Sequence, residues 1–124
     1  MTKTPQGKAV PLAEGLRELR GRQLSSVEFV QDYVQLKFDG PRLSAYVLPV
    51  VALNGKRLRH DGAGYRDELC ARIGRTVLDA DFRDGEALSL RFDDGAVIEI
   101  SVRDKDYAGP EALEFVDARQ RWVV

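Results

Sequence analysis

The sequence predicts an α+β fold in which two pseudo-repeated α-β-β-β units form a largely antiparallel, curved sheet with two short helices packed on it. Three observations support this prediction. Two segments of the chain resemble each other, each opens with apolar residues at helical spacing, and alternating apolar residues follow. A chain of 124 residues, of which 44% are hydrophobic, fits one globular domain with a substantial core.

The internal similarity relates residues 12–48 to residues 65–102. Leu16 corresponds to Leu69 at an offset of 53, and one inserted residue later changes the offset to 54. The further correspondences are Gly21–Gly74, Arg22–Arg75, Leu24–Val77, Val27–Ala80, Phe29–Phe82, Val34–Leu88, Leu36–Leu90, Phe38–Phe92 and Asp39–Asp93. Two copies are too few for a solenoid, so the pattern predicts one domain with a pseudo-twofold axis.

This similarity divides the chain into segments. The end of the chain predicts a hairpin, because Leu113 and Phe115 precede a polar turn and Trp122 follows it. We expect a single domain with a flexible tail at 1–8, repeat unit one at about 11–50, a joint at 51–64, repeat unit two at about 65–104 and a C-terminal hairpin at 111–124.

The first unit opens with a predicted helix whose apolar stripe is Leu12, Leu16 and Leu19. Pro11 suits the first helical position, where its missing N–H has no intrahelical partner, and Gly21 suits the left-handed residue just beyond the end. A helix of about ten residues is marginal alone, so this stripe must pack on a sheet.

In the second unit Tyr65, Leu69 and Ile73 form the corresponding stripe, and Gly74 ends the helix. Cys70, the only cysteine, lies beside this stripe. We interpret it as a packing residue at the rim of the core, because free cysteines usually behave as small hydrophobes.

Each predicted helix is followed by strands. "VQLKF" at 34–38 and "LSLRF" at 88–92 alternate apolar and polar residues, which is typical of half-buried strands. The Asp-Gly turns that follow favour hairpins, with returning strands at 42–48 and 96–102. Both faces of 42–48 are apolar, so we expect that strand to be covered on both sides.

No signature of catalysis or of a resident cofactor is present. The chain lacks CxxC, HExxH, GxxxxGK[ST] and GxSxG motifs, and one histidine with one cysteine cannot form a Cys/His zinc site. A helical rise would hold His60 and Cys70 roughly 10 to 15 Å apart, so we interpret His60 as an exposed loop residue. The paired carboxylates lack calcium-loop spacing and are interpreted as solvated edges and turns: Asp79 and Asp81, Asp93 and Asp94, Asp104 and Asp106.

The net charge of −1 conceals an asymmetry. Residues 1–60 carry ten Lys/Arg and five Asp/Glu, whereas residues 61–124 carry nine and fifteen. Either the two halves attract each other within the fold, or the resulting dipolar surface steers a charged partner.

One candidate partner-binding surface is the basic group Lys56, Arg57, Arg59 and His60, which follows a turn-forming Asn-Gly. The group could contact phosphates. The slightly acidic chain and the absence of aromatic residues among these cations argue against nucleic-acid binding.

A candidate ligand-binding set is Arg22, Arg75, Tyr46 and Tyr107, which we expect to line a groove between the two repeat units. Arg22 and Arg75 follow the glycine in both units. The alternative interpretation makes them helix-end cations that bond the last carbonyl groups.

The stretch "LSLRFDDGAVIEISV", followed by "YAGPEALEF" and a terminal "RWVV", resembles small bacterial proteins with helix–strand units and an LxLxFxDG hairpin. The resemblance covers residues 74–124, with a weaker echo over 12–50. Those proteins have no established activity, so no residue role follows from it. Some similar small α+β proteins neutralise toxins as immunity proteins, which is an analogy of fold alone.

These observations favour a non-enzymatic, cytoplasmic bacterial module that binds another protein, in an adaptor-like or immunity-like role or as a homodimer. The alternative is a small-ligand or enzymatic site in the groove between the units. The longest nearly apolar run, 45–53, has nine residues where a membrane span needs about 20, so no membrane partner is expected. The single cysteine and the lack of a signal-like apolar stretch suit a reducing cytoplasm.

Overall fold

A computed structural model describes residues 10–124 and has an α+β fold with ten strands and few short helices. The tail predicted at 1–8 lies outside the described residues. The elements are α1 (Leu12–Gly15), a 3-10 turn (Leu16–Leu19), β1 (Ser26–Val30), β2 (Tyr33–Lys37), β3 (Arg42–Ala45), β4 (Val50–Leu53), β5 (Lys56–Leu58), α2 (Tyr65–Cys70), β6 (Val77–Arg83), β7 (Ala87–Phe92), β8 (Val97–Ser101), a second 3-10 turn (Asp104–Asp106), β9 (Leu113–Val116) and β10 (Arg121–Val123).

The strands form two five-stranded sheets and not the single curved sheet expected. Sheet A has the order β1-β2-β3-β9-β10 and sheet B has the order β5-β4-β8-β7-β6, with neighbouring strands antiparallel. Each sheet therefore combines three consecutive strands from one half of the chain with a hairpin from the other half. Each hairpin joins the sheet of the other half, because β9 pairs with β3 and β4 pairs with β8.

The segments that precede β1 and β6 meet each other and join the two sheets. The Gly21 N–H donates to the Val77 carbonyl oxygen at 2.8 Å, and the Gly74 N–H donates to the Leu24 carbonyl oxygen at 2.8 Å. Gly21 has φ of 81°, so the left-handed conformation predicted for it is confirmed, and Gly74 adopts the same conformation with φ of 88°.

The two helices bury different residue types. Leu12, Leu16 and Leu19 are all buried, as predicted. In α2, Tyr65 and Leu69 are buried as predicted, but Ile73 is wrongly assigned to the stripe.

Ile73 is 44% exposed, and Arg72 is buried on that helix face instead. The helix ends at Cys70, and the inward face continues at Arg72, three residues after Leu69. Cys70 is exposed, so its interpretation as a packing residue is wrong.

The core lies between the sheets and beneath the helices. The alternation predicted for both central strands is confirmed, because Val34, Leu36 and Phe38 are buried while Gln35 and Lys37 are not. The largest fully buried side chains are Phe38, Phe92, Phe115, Leu16, Leu19, Leu24, Leu36, Leu43, Leu69, Leu88, Leu90 and Ile98. No helix within residues 10–124 has the length and apolar character needed to cross a membrane.

Candidate binding surface around strand β5

Strand β5, at one edge of sheet B, and the two residues that follow it carry the basic group predicted to bind a partner. Lys56, Arg57, Arg59 and His60 are all exposed, and together they are called the β5 surface. The segment expected to be a joint therefore contains a hairpin. Its two-residue turn has φ of 53° and 78°, the signs that a tight hairpin requires.

A groove lies along one side of this surface and is called the Tyr46 groove. Arg57, Arg59 and His60 line it together with Tyr46 and with four residues of the segment that follows β8, and it encloses about 400 Å³. Those four residues are Arg103, Lys105, Asp106 and Ala108. The structure therefore brings one residue of the predicted ligand-binding set together with three residues of the predicted partner-binding set. The contact arises because the β4–β5 hairpin pairs with β8, the strand that precedes this segment.

The groove contains cations that the described residues do not neutralise. The Arg57 guanidinium pairs with the Glu99 carboxylate at 2.7 Å, so its charge is compensated within the sheet. Arg59 and Lys105, by contrast, make no salt bridge with any residue from 10 to 124. Asp106 is engaged by the Ser101 hydroxyl, which donates to its carboxylate at 2.5 Å. The lining also includes the Asp32 and Glu99 carboxylates, so its four Arg/Lys side chains outnumber its three Asp/Glu side chains by one. The groove therefore offers a small excess of positive charge, concentrated at Arg59 and Lys105, to an incoming group.

The Tyr46 groove continues into an aromatic depression of about 630 Å³ that Tyr46 and Leu48 also line. The Tyr33 and Tyr46 rings lie 5.3 Å apart between centroids at an angle of 58°. Pro110 also lines this depression. Burial, with nearby Glu114 contributing next, raises the pKa of Tyr46, so its phenol remains a hydrogen-bond donor at neutral pH.

The other face of β5 borders a separate cavity of about 210 Å³, called the β5–α2 cavity. Alternate strand residues point to opposite faces, so Lys56 and Leu58 line this cavity while Arg57 lines the groove. Glu68 of α2 closes the cavity from the helix side. One short edge strand thus presents side chains to two different depressions.

The remaining residues of the predicted ligand-binding set lie elsewhere. The Arg22 Nε–H donates to the Glu18 carbonyl oxygen at 2.8 Å, which is the helix-end contact of the alternative interpretation. Arg22 also lines a separate depression beside Asp39. Arg75 lies 3.6 Å from the carboxylate of Asp94. Tyr107 is half-buried and packs against the core. Ligand binding by this set stays a prediction.

Sequence reasoning missed a buried ionic cluster beneath α2. Arg72 is 5% exposed, and its Nη2 lies 3.3 Å from the Asp94 carboxylate and 3.7 Å from the Glu68 carboxylate. Its Nε and Nη1 have no hydrogen-bond partner among the described residues. The repeat offset of 53 places Arg72 opposite Leu19, a core residue, and this was the available signal.

Within residues 10–124, no three His, Cys, Asp or Glu side chains are grouped in a way that could hold a metal ion. Comparison of the chain with protein-family models, with curated proteins and with solved structures finds no match.

Proposed function

We propose that this protein is a non-enzymatic, cytoplasmic bacterial binding module that recognises an acidic segment of another protein in an adaptor-like or immunity-like role. The observation that carries the proposal is the position of the β5 surface. Its cations lie on an exposed sheet edge beside a groove in which Arg59 and Lys105 make no salt bridge with residues 10–124.

The electrostatics support an acidic partner. Arginine guanidinium groups form short, charge-assisted hydrogen bonds with carboxylates, and their planar geometry adds specificity. Unpaired cations at an interface also steer the encounter, which raises the association rate more than the affinity. The β5 surface and Lys105 would therefore select and orient an acidic segment before closer contacts form.

The aromatic depression supports a protein partner over a purely ionic one. Tyr33 and Tyr46 present large, semi-exposed rings beside Leu48. Tyrosine and arginine are enriched at protein interfaces, where a few such residues carry most of the binding energy. A segment that combines an apolar residue with carboxylates would match both parts of the groove.

We also infer that the two halves descend from one repeated unit. The sequence correspondences support this inference, as does the shared order of a three-strand meander followed by a hairpin from the other half. The Gly21–Val77 and Gly74–Leu24 bonds relate equivalent positions with the halves exchanged. On this basis the groove lies where elements of both halves meet.

A small-ligand or enzymatic site in the aromatic depression beside the Tyr46 groove is the second candidate. Its supporting observation is size, because about 630 Å³ falls within the range of roughly 300 to 1,000 Å³ typical of small-molecule sites. Tyr46 would then contact the ligand directly.

Charge reversal tests the proposal. The wild-type protein, an Arg59→Glu/Lys105→Glu variant and an Arg91→Glu/Arg119→Glu control are used for affinity capture from a bacterial lysate. The control residues are also exposed and make no salt bridge with a described residue. We expect the same protein to be captured by the wild type and the control, and lost with the groove variant. Binding of an eight-residue polyglutamate peptide should follow the same pattern and weaken with salt.

The proposal would be overturned if the Arg59→Glu/Lys105→Glu variant captured the same protein as the wild type. A metabolite that raises the melting temperature of the wild type and the control, but not of a Tyr46→Ala variant, would establish the second candidate in its place.

A further inference from the structure

The β5–α2 cavity has a counterpart on the other sheet that is filled. There the Trp122 ring stacks on Phe115 with centroids 5.4 Å apart. A Cβ atom added at Gly15 would lie 2.5 Å from two of its ring atoms, so the indole lies directly on α1. The Trp122 Nε1–H donates to the Val10 carbonyl oxygen at 2.7 Å. The chain's own tryptophan thus closes this side of the fold.

Strand register identifies the equivalent positions around the cavity. In each sheet the hairpin's first strand joins the third strand of the meander, and its second strand lies at the edge. Trp122 pairs with Phe115 across one hairpin, and Leu58 pairs with Val51 across the other. The cavity therefore has smaller residues, Leu58 and Val51, in the places of Trp122 and Phe115.

We propose that the β5–α2 cavity receives a flat aromatic side chain, preferably a tryptophan indole, from the partner protein. That the side chain comes from a partner protein rests on the proposed function. That the cavity binds an aromatic group does not rest on it. About 210 Å³ is below the roughly 300 Å³ at which small-molecule sites begin, so the cavity matches one side chain and not a cofactor.

The lining supplies the contacts that an indole uses. Val51, Leu53 and Leu58 provide apolar walls. The Glu68 carboxylate is an acceptor for an indole N–H, which can only donate. Lys56 adds a cation beside the cavity for contact with a π face. An aromatic occupant with an N–H is therefore complementary to the lining in shape and charge.

The cavity is continuous with the β5 surface. Lys56 and Leu58 alternate along the strand with Arg57, which lines the Tyr46 groove on the opposite face. A partner segment that crosses β5 would place an aromatic residue in the cavity and carboxylates on the cations. Charge alone would give weak binding at physiological salt, because salt screens exposed charges. The cavity adds an apolar contact that strengthens the binding.

A free probe tests the cavity without a partner. N-acetyl-tryptophanamide is titrated into the isotope-labelled protein and followed by NMR, with N-acetyl-leucinamide as the non-aromatic control. We expect saturable shifts of the Val51, Leu58 and Glu68 signals with the aromatic probe and weaker binding of the leucine probe.

Two variants locate the binding. Leu58→Trp fills the cavity from within and should weaken the probe by about tenfold or more. Leu78→Trp makes the same substitution at a leucine that is 47% exposed on β6, and should leave binding unchanged. If Leu58→Trp does not fold by circular dichroism, Glu68→Gln tests the same site. It retains the shape and weakens acceptance of the indole N–H, while the closer carboxylate of Asp94 still pairs with Arg72.

The inference would be overturned if the aromatic probe caused no shifts, or if the shifts mapped to another part of the protein. It would also be overturned if the probe bound Leu58→Trp or Glu68→Gln as tightly as it binds the wild type. Such a result, together with charge-dependent capture by the β5 surface, would remove only the aromatic anchor. Probe binding without charge-dependent capture would retain the cavity and remove the acidic-segment function.

Discussion

The two edge hairpins of the molecule have the same backbone arrangement and opposite packing. The β9–β10 hairpin is closed over α1 by Trp122, which leaves no space for a Cβ at Gly15. The β4–β5 hairpin lies over α2 with Leu58 and Glu68 in those places and leaves a cavity. The difference shows that a few side chains, and not the strand arrangement, determine whether this hairpin position completes the core or opens to the surface.

The helices beneath the two hairpins also differ in whether the residues they bury are apolar or charged. The first half buries Leu19, whereas the second half buries Arg72 at the matching offset and pairs it with Asp94 and Glu68. Buried ion pairs carry a desolvation cost that apolar packing does not. The surroundings of α1 are therefore built for packing, whereas α2 combines a buried ion pair with the open β5–α2 cavity, from which we infer binding.

The largest expected effect comes from removing one partner of the buried ion pair. Asp94→Ala should lower the free energy of unfolding by about 3 kcal/mol, because it leaves the buried Arg72 guanidinium with only Glu68. Asp94 also accepts the Ala96 N–H at 3.0 Å, and that bond is lost too. Urea unfolding followed by circular dichroism measures the change.

Asp93→Ala is the matched control for Asp94→Ala. Asp93 is the exposed neighbour in the same turn, and its 4.0 Å pair with Arg75 is a surface contact. Its removal should cost less than about 1 kcal/mol. Equal losses in the two variants would mean that the buried pair does not distinguish the second half.

The next effect is a pH dependence that arises at Tyr65, on α2. Tyr65 is buried where the first half has Leu12, and its hydroxyl donates to the Pro49 carbonyl oxygen at 2.5 Å. Burial raises the pKa of Tyr65 from 10.0 to about 12. The folded state therefore holds this proton more tightly, and the stabilisation is present below about pH 10 and is lost as pH rises towards 12.

Tyr65→Phe isolates that contribution from the other groups that titrate in alkali. Below about pH 10 the variant should be less stable than the wild type by about 1 kcal/mol, because the Pro49 carbonyl loses its donor. The wild type should then lose on the order of 2 kcal/mol more than the variant as pH rises towards 12. Unfolding curves at paired pH values measure this, and parallel losses in both proteins would contradict it.

The sequence predicted local structure better than pairing. Alternation fixed which faces of "VQLKF" and "LSLRF" are buried, and glycine chemistry located the left-handed residues that follow the helices. An alternating pattern indicates which face of a strand is buried, but it does not indicate which strand lies beside it. The crossing of the hairpins depends on pairs distant in sequence, such as Leu43 with Phe115, and local patterns do not encode them.

The candidate site illustrates the same limit. The basic residues of β5 and the aromatic Tyr46 were separate candidates because no spacing rule joins positions so different in the chain. Arg72 was missed because the predicted stripe of α2 was Tyr65, Leu69 and Ile73, and arginine is rarely buried. Its long stem can pack in the core while its head is paired, and only the repeat offset from Leu19 indicated this.

A smaller effect should appear at the closed hairpin. Gly15→Ala should lower the free energy of unfolding by about 1 to 2 kcal/mol, because overpacking against Trp122 outweighs the higher helix propensity of alanine. Glu14→Ala, at an exposed position of the same helix, introduces no clash and should cost less. Thermal unfolding of both variants measures the contrast. Stabilisation by Gly15→Ala would show that Trp122 is not seated tightly on α1.

The smallest expected effect tests whether the two helix faces are interchangeable. Arg72→Leu gives the second half the residue that the first half has at Leu19, and it removes a guanidinium whose Nε and Nη1 are unpartnered among the described residues. Replacing a buried ion pair by an apolar residue is often neutral or stabilising, so the free energy of unfolding should change by between zero and a gain of about 1 kcal/mol. Asp94 is 16% exposed in its side chain and still pairs with Arg75 after the substitution, so it is not stranded as Arg72 is when Asp94 is removed. The measurement is urea unfolding beside Asp94→Ala. A loss as large as that of Asp94→Ala would mean that the second half needs the charge for its stability, and that its divergence from the first half is structural.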